Sequence, residues 1–183
     1  MPLILVTGNK GGGKTCFATS MAKLAFDKGR NVFSNYHLAF DYSPINVSKM
    51  IENPDSVRDA VILIDEAHIT LDSRRAGSGK NIMFSYLMTQ SRKRRISLIL
   101  TTQQASAVDV RIRRNMDELY LCEAMKASKG VVRRATTHEV EHANVDLILV
   151  TMTDYGQLIQ KKMLWNPKST FELYDSDEFI PMS

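Results

Sequence analysis

The stretch Val6-Thr7-Gly8-Asn9-Lys10-Gly11-Gly12-Gly13-Lys14-Thr15 decides how the rest of the chain is read. Gly8, four residues, then Gly13-Lys14-Thr15 make the G-x-x-x-x-G-K-[ST] pattern of a nucleotide phosphate-binding loop, or P-loop. The flanks fit the pattern. Leu3-Ile4-Leu5-Val6 is an apolar run suited to a buried strand, and Phe17, Met21, Leu24 and Ala25 recur at helical spacing. A strand, a glycine loop and a helix start are what phosphate binding needs. Glycines let backbone N–H groups turn inward without a Cβ clash, and the helix N-terminus faces the negative charge. The spacing therefore assigns Gly8, Asn9, Lys10, Gly11, Gly12, Gly13, Lys14, Thr15 and Cys16 to a nucleoside triphosphate, ATP by default. Lys14 is placed to reach the β- and γ-phosphates, and Thr15 to ligate Mg²⁺.

A second apolar run, Ala60-Val61-Ile62-Leu63-Ile64, ends in Asp65-Glu66. Carboxylates at the carboxyl end of a buried strand stand where open α/β sheets bind ligands. Beside a complete P-loop this is a Walker B strand. It assigns Asp65 to Mg²⁺ and Glu66 to general-base work on the attacking water. Downstream, Ile96-Ser97-Leu98-Ile99-Leu100-Thr101-Thr102 reads as another strand that delivers Gln103 and Gln104 to the same edge, where an amide can sense the γ-phosphate.

Outward from these motifs the chain is ordinary in composition. It has 183 residues, 44% of them hydrophobic, enough for one domain with a sizeable core. No run approaches the ~18 apolar residues of a membrane span, and the N-terminus lacks the basic flank of a signal peptide. Cys16 and Cys122 make no disulfide or metal pattern and read as small buried residues, which points to the cytoplasm. The net charge of +4 is unevenly spread: residues 74–114 hold ten Lys or Arg against one acid, Asp109. A basic block in an otherwise acidic chain suggests a polyanion site. His68 reads as structural, and His138 with His142 lacks a third metal ligand.

Further elements follow from pattern. The first helix is expected over Lys14–Lys28 with Gly29 as its stop, a second strand over Asn31–Tyr36, and a short helix near Val47–Asn53. Residues 67–80 read as a basic loop, and 81–92 as a helix closed by Ser91-Arg92-Lys93-Arg94-Arg95. Ser106 is expected to cap a short helix carrying Val108, Ile112 and Met116. Leu119–Cys122 reads as a strand. Val145–Met152 and Leu158–Trp165 flank Thr153-Asp154-Tyr155-Gly156-Gln157 as a hairpin, and the tail from Pro167 is expected to be extended or loosely packed. The fold class is α/β, a three-layer P-loop sandwich of the RecA/ASCE type around a central, mainly parallel sheet, with a C-terminal hairpin. One domain covers 1–183, its core about 3–125 and an extension about 126–183.

Gly8–Thr15, Ile62–Glu66 and Ser91–Ser106 together resemble the FtsK–HerA superfamily of P-loop motor ATPases. Ser91-Arg92, the Ile96–Leu100 strand and Thr102-Gln103 match its small-residue–Arg segment, apolar strand and Thr-Gln pair. The tail Phe171–Glu178 is similar to the ends of small archaeal viral genome-packaging ATPases. Gln90–Asp117, with Val-Asp-Val-Arg-Ile-Arg, and Gly29–Asn35 are similar to Zot-like ATPases of filamentous phage assembly, which usually continue into a membrane segment. The resemblance implies a hexameric homo-oligomeric ring, double-stranded DNA in its pore, capsid or virion proteins as partners, and an arginine finger acting on a neighbour's nucleotide. Arg92 matches that finger first, with Arg94, Arg95 and Arg111 as alternatives, and the residues themselves suggest a cluster of cations near the catalytic edge. The expectation is a DNA-stimulated ATPase that moves DNA in viral genome packaging. The alternative is an ATPase driving virion extrusion at a membrane. A P-loop kinase is disfavoured by the Asp65-Glu66 pair followed by Thr102-Gln103.

Overall fold

A computed structural model of the chain describes residues 2–53, 56–67, 87, 89–141, 145–157 and 159–179. The apolar runs become the strands of one sheet: β1 (Leu3–Thr7), β2 (Asn31–Ser34), β4 (Ser43–Pro44), β5 (Ala60–Ile64), β6 (Ser97–Thr102) and β7 (Glu118–Ser128). β3 (Tyr36–Leu38) stands apart. The sheet order is β7-β1-β6-β5-β2-β4, and every neighbouring pair in this part is parallel. The strand that carries Gln103 thus lies between the P-loop strand and the Walker B strand.

β1, β5 and β6 are buried at every position. Their near-continuous apolar sequence follows from helices covering both faces of a parallel sheet. Alternate residues feed two cores. Leu3, Leu5, Ile62, Ile64, Leu98 and Leu100 meet Val47 and Met50 of α2 (Val47–Glu52), Leu87, and Ile112 of α3 (Val110–Arg114). Ile4, Val6, Val61, Leu63 and Ile99 meet Cys16, Phe17, Ala18 and Ala22 of α1 (Lys14–Phe26). This is the expected three-layer arrangement. Gly29, at φ 77, ends α1 as its left-handed stop.

Beyond β7 the sheet turns antiparallel. β8 (Val131–Arg134) folds back on the outer half of β7 through Lys129-Gly130, both at positive φ. α4 (Thr137–Glu141) follows. β9 (Leu147–Asp154) pairs with β7, and β10 (Ile159–Trp165) pairs with β9 as the expected hairpin. The hairpin continues the central sheet.

Three expectations change. The strand read over Asn31–Tyr36 breaks in two, because the buried Asn35 and Ser34 side chains bond main-chain groups there in place of a ladder. The helix after β6 is capped by Asp109, not Ser106: Asp109 Oδ1 accepts from Arg111 N at 2.8 Å, while Ala105–Ala107 forms a separate 3₁₀ turn. The tail is extended but paired. β11 (Tyr174–Phe179) lies antiparallel to β3, with Tyr174 edge-on to Tyr36 at 6.2 Å between ring centroids. The basic loop 67–80, apart from Ala67, lies outside the described residues, as do His68, His142 and most of the helix expected over 81–92.

Candidate active site

The carboxyl ends of four neighbouring strands converge on Asp65. Thr15 Oγ1, at the start of α1, donates to both Asp65 carboxylate oxygens at 3.1 Å. Thr101 Oγ1, near the end of β6, also donates to Asp65 Oδ1. Asn35, just past β2, clamps the main chain of the same residue: its Nδ2 donates to Asp65 O at 3.1 Å and its Oδ1 accepts from Asp65 N at 2.8 Å. Burial raises the Asp65 carboxyl above its ordinary value. The Thr101 and Thr15 hydrogen bonds and the Lys14 ammonium oppose that rise, and the Glu66 carboxylate adds to it.

Glu66 takes a left-handed backbone at φ 49, an uncommon conformation for a residue with a side chain. Its N–H donates to Thr101 Oγ1 at 3.1 Å, and its Oε1 receives Gln103 Nε2 at 3.4 Å. The turn therefore aims Asp65 and Glu66 in different directions, one toward Thr15 and one toward Gln103. The structure brings Thr15, Asp65, Glu66 and Gln103 together at one edge of the sheet.

The P-loop is shaped by what stands behind it. A Cβ at Gly8 would fall 2.3 Å from Cys122 O, and Gly8 sits at φ 147. At Gly13 a Cβ would meet Ile148 Cδ1 at 2.2 Å, and at Gly11 it would meet Val140 Cγ1 at 2.1 Å. A backbone oxygen of β7 thus excludes a side chain at Gly8, while at Gly11 and Gly13 a side chain would have to displace Val140 and Ile148 and adopt φ of 68 and 90. Gly12 N–H donates to Asn9 O at 2.9 Å, and Lys14 Nζ donates to the same oxygen at 3.2 Å. Phe17 N is bonded to Gly13 O, the first bond of α1. The Lys14, Thr15 and Cys16 N–H groups therefore belong to the first turn, whose donors find no partner within a helix. Cys16 as a residue is 1% exposed, and burial raises its thiol to about 12. Cys122 is raised to about 12 by burial as well. A cavity of about 510 Å³ opens beside the loop, walled by Asn9, Lys10, Gln103, Glu123, Arg134 and Val140 among others.

The Thr15 hydroxyl and the Asp65 carboxylate, already in contact, are hard oxygen ligands of the kind Mg²⁺ takes, so the donor set fits that ion. Among the described residues no further cluster of three His, Cys, Asp or Glu could hold a metal.

Arg92, Arg94 and Arg95 are not on this edge. The chain leaves β5 at its carboxyl end and must return to the opposite edge before the parallel β6 begins. Residues 89–94 are helical and lead directly into β6, so this basic run lies at the strands' amino ends. Arg92 borders a cleft there with Pro2, Asp117, Glu118 and Asp154. The expectation of a cation cluster at the catalytic edge is thereby corrected for these three residues, which stand at the edge opposite the P-loop. Arg111 follows the carboxyl end of β6 but is held by Asp109 through Nε at 3.1 Å and Nη2 at 2.9 Å.

Sequence reasoning missed Asn35, Thr101, Cys122, Ile148 and Val140. Asn35 carried a readable signal, a polar residue at the end of an apolar strand. The others act as a hydroxyl within a strand, a backbone oxygen or packing atoms, which no local motif marks. Asn35→Ala is expected to destabilise the fold by about 1–3 kcal/mol, because it strips partners from two buried main-chain groups of Asp65. Urea unfolding would read that loss, and a midpoint unchanged from the parent protein would show that the clamp contributes nothing.

A family model described as Zonular occludens toxin (Zot) matches residues 41–179, well over half of the chain. The chain belongs to the Zot family. The solved N-terminal domain of zonular occludens toxin from Neisseria meningitidis is similar to the Zot-family chain at a TM-score of 0.63 and 19% identity, covering 95% of this chain and 98% of that one. The genome packaging NTPase B204 of Sulfolobus turreted icosahedral virus 2, solved with AMP, gives 0.60 at 12% identity over 91% and 97%. The flagellar accessory protein FlaH of Methanocaldococcus jannaschii gives 0.53 at 12% identity over 90% and 84%. No curated protein matches the chain at a significant level. These neighbours share the fold, and fold, motifs and family together make the Zot-family chain a P-loop NTPase. Among its described residues no helix is long and apolar enough to cross a membrane.

Proposed function

We propose that the chain is an ATP-hydrolysing motor of virus or phage assembly that moves DNA, with residues 1–183 acting as one unit. The observation that carries this reading is the Thr15–Asp65–Glu66–Gln103 constellation at one sheet edge. A binding module needs the loop alone. A general base in contact with an amide positioned between the P-loop and Walker B strands is what hydrolysis needs. Lys14 neutralises phosphate charge, Thr15 and Asp65 hold Mg²⁺, Glu66 takes a proton from the attacking water, and Gln103 senses the γ-phosphate. When bound, Mg²⁺ supplies charge neutralisation across the phosphates. Gly8–Cys16 cradle the triphosphate through the main chain.

The B204 structures with ATP-gammaS and AMPPCP support ATP as the nucleotide. DNA as the load is supported by the description of B204 as a genome packaging NTPase and by the basic composition of residues 74–114. The Zot family match favours a second reading of the same motor, in which hydrolysis drives virion extrusion at a membrane through protein partners. In either reading a hexameric ring brings Arg92 to a neighbour's nucleotide, the one geometry in which it can act as a finger. Purified protein is expected to hydrolyse ATP faster when duplex or single-stranded DNA is added. Turnover insensitive to both would remove DNA as the load and leave the extrusion reading.

A further inference from the structure

The edge opposite the nucleotide has its own charge pattern. Three adjacent parallel strands, β6, β5 and β2, are each entered through cationic residues: Lys93-Arg94-Arg95 before β6, Arg58 before β5, Arg30 before β2. Topology forces these segments onto one ridge, and hydrogen bonds knit them together. Arg30 Nη2 donates to Ala60 O at 2.7 Å and to Arg95 O at 2.8 Å, and its Nη1 donates to Ser97 Oγ at 3.1 Å. Asp59 N donates to Arg94 O at 3.0 Å, and Asn31 Nδ2 donates to Arg58 O at 3.3 Å. Asp59 is the carboxylate set among the cations, 2.5 Å from Arg95. Of the other acids at this edge among the described residues, Asp27 pairs with Lys23 of α1, Glu52 ends α2, and Asp117, Glu118 and Asp154 lie farther along, beside Arg92 at the β1–β7–β9 end.

Holding the ridge together costs stability. Arg95 and Asp59 both sit in left-handed backbone, at φ 57 and 48. For an arginine this is an expensive way to enter a strand where glycine would serve. Burial disfavours the charge on Arg30, Asp59 offsets it, and the neighbouring Arg95 adds to the repulsion. Crowded like charge, presented on a rigid sheet edge and kept at some cost, is an arrangement suited to a polyanion.

We infer that this ridge, with Arg58, Lys93, Arg94 and Arg95 along it and Arg30 tying its segments together from within, binds the phosphodiester backbone of a nucleic acid. The chemistry favours nucleic acid over a lipid surface. Three of the four residues along it are arginines, which suit phosphate oxygens through paired N–H groups. Among the described residues, the large exposed apolar side chains are Leu24, Val110, Leu121, Val131, Val132, Tyr155, Ile159, Met163, Leu164 and Phe171, none of them in the ridge segments. A membrane-docking surface pairs its cations with apolar groups that insert. The inference takes DNA as the load from the proposed function, but it concerns a surface away from the chain's own P-loop and is read by DNA binding without turnover, so the two can fail separately.

The test is equilibrium binding of a short fluorescent DNA duplex and its single strand across a salt series. Arg58→Glu with Lys93→Glu is the ridge variant. Lys161→Glu with Lys162→Glu, two exposed lysines of β10, reproduces its charge change elsewhere. The ridge variant should lose about tenfold or more in affinity near 100 mM salt, and its log–log salt slope should fall by about 0.9 for each duplex phosphate contact removed. The β10 variant should keep the parent slope. Equal losses in both variants would reduce the effect to net charge and overturn the ridge. So would parent protein that ignores DNA yet sediments with phosphatidylglycerol vesicles. ATP hydrolysis by the parent without DNA is measured alongside. If the parent does not hydrolyse ATP but DNA binding still depends on the ridge, the motor reading fails and the ridge stands.

Discussion

Glu66→Gln is expected to lower kcat for ATP hydrolysis by about 10²–10⁴-fold while leaving nucleotide bound. The size is that of a lost general base, and the substitution is chosen to remove little else. Glutamine keeps the shape and an oxygen for Gln103 Nε2, which now reaches Glu66 Oε1 at 3.4 Å. The Glu66 N–H to Thr101 bond is main-chain and survives. In the proposed mechanism substrate binding rests on the P-loop, Thr15 and Asp65, none of which the change touches. The variant should therefore retain ATP, measurable as a fluorescent analogue that stays bound while phosphate release stops. The melting temperature should stay near the parent's, since no buried contact is lost. Undiminished phosphate release would strip Glu66 of the base role and move attention to the Gln103 side of the cavity. Weak binding together with slow turnover would mean that Glu66 positions the nucleotide, a different part in the same site.

That prediction can be framed from sequence because its residues lie in contiguous motifs. The P-loop is one unbroken run, Val6–Thr15, and Asp65 and Glu66 are adjacent. Each motif stands at the carboxyl end of an apolar run, so strand polarity places it. The layers are legible for the same reason: β1, β5 and β6 are buried throughout, and a fully apolar strand implies helices on both sides. What sequence does not show is contact between segments far apart. Asn35 reaches Asp65 across thirty residues, and Cys122 O stands behind Gly8 from a strand that begins past residue 117. The misplacement of Arg92, Arg94 and Arg95 has a sharper cause. They precede the Gln103 strand closely, but closeness along the chain is not closeness in space. A crossover between parallel strands must end at the amino edge, so residues just before β6 are as far from Gln103 as the strand is long. Topology determines that point, and residue type says nothing about it.

Asp65→Asn is expected to raise the melting temperature of the metal-free protein while abolishing Mg²⁺-dependent turnover. The carboxylate is packed beneath Thr15 and Thr101 with its main chain fixed by Asn35, and burial raises its pKa. A carboxyl whose pKa rises on folding holds its proton longer folded than unfolded. Folded stability from this group is then greatest below the unfolded value and declines as pH climbs through the folded one. Above the folded value the full cost is present, and a neutral amide of the same shape relieves it while its oxygen still accepts from Thr15. Each kcal/mol relieved raises the melting temperature of a chain this size by about 2–4 °C. The gap between variant and parent should close as pH falls below the ordinary carboxylate range, where both side chains are neutral. Adding Mg²⁺ with a non-hydrolysable ATP analogue should reverse the order. The parent gains stability by ligand linkage, whereas the amide is a poorer ligand for a hard cation. A variant that melts lower than the parent without metal would show that the hydrogen bonds to Asp65 outweigh its burial. In that case the carboxylate is as much a strut of the sheet edge as a ligand held ready at a cost to the fold.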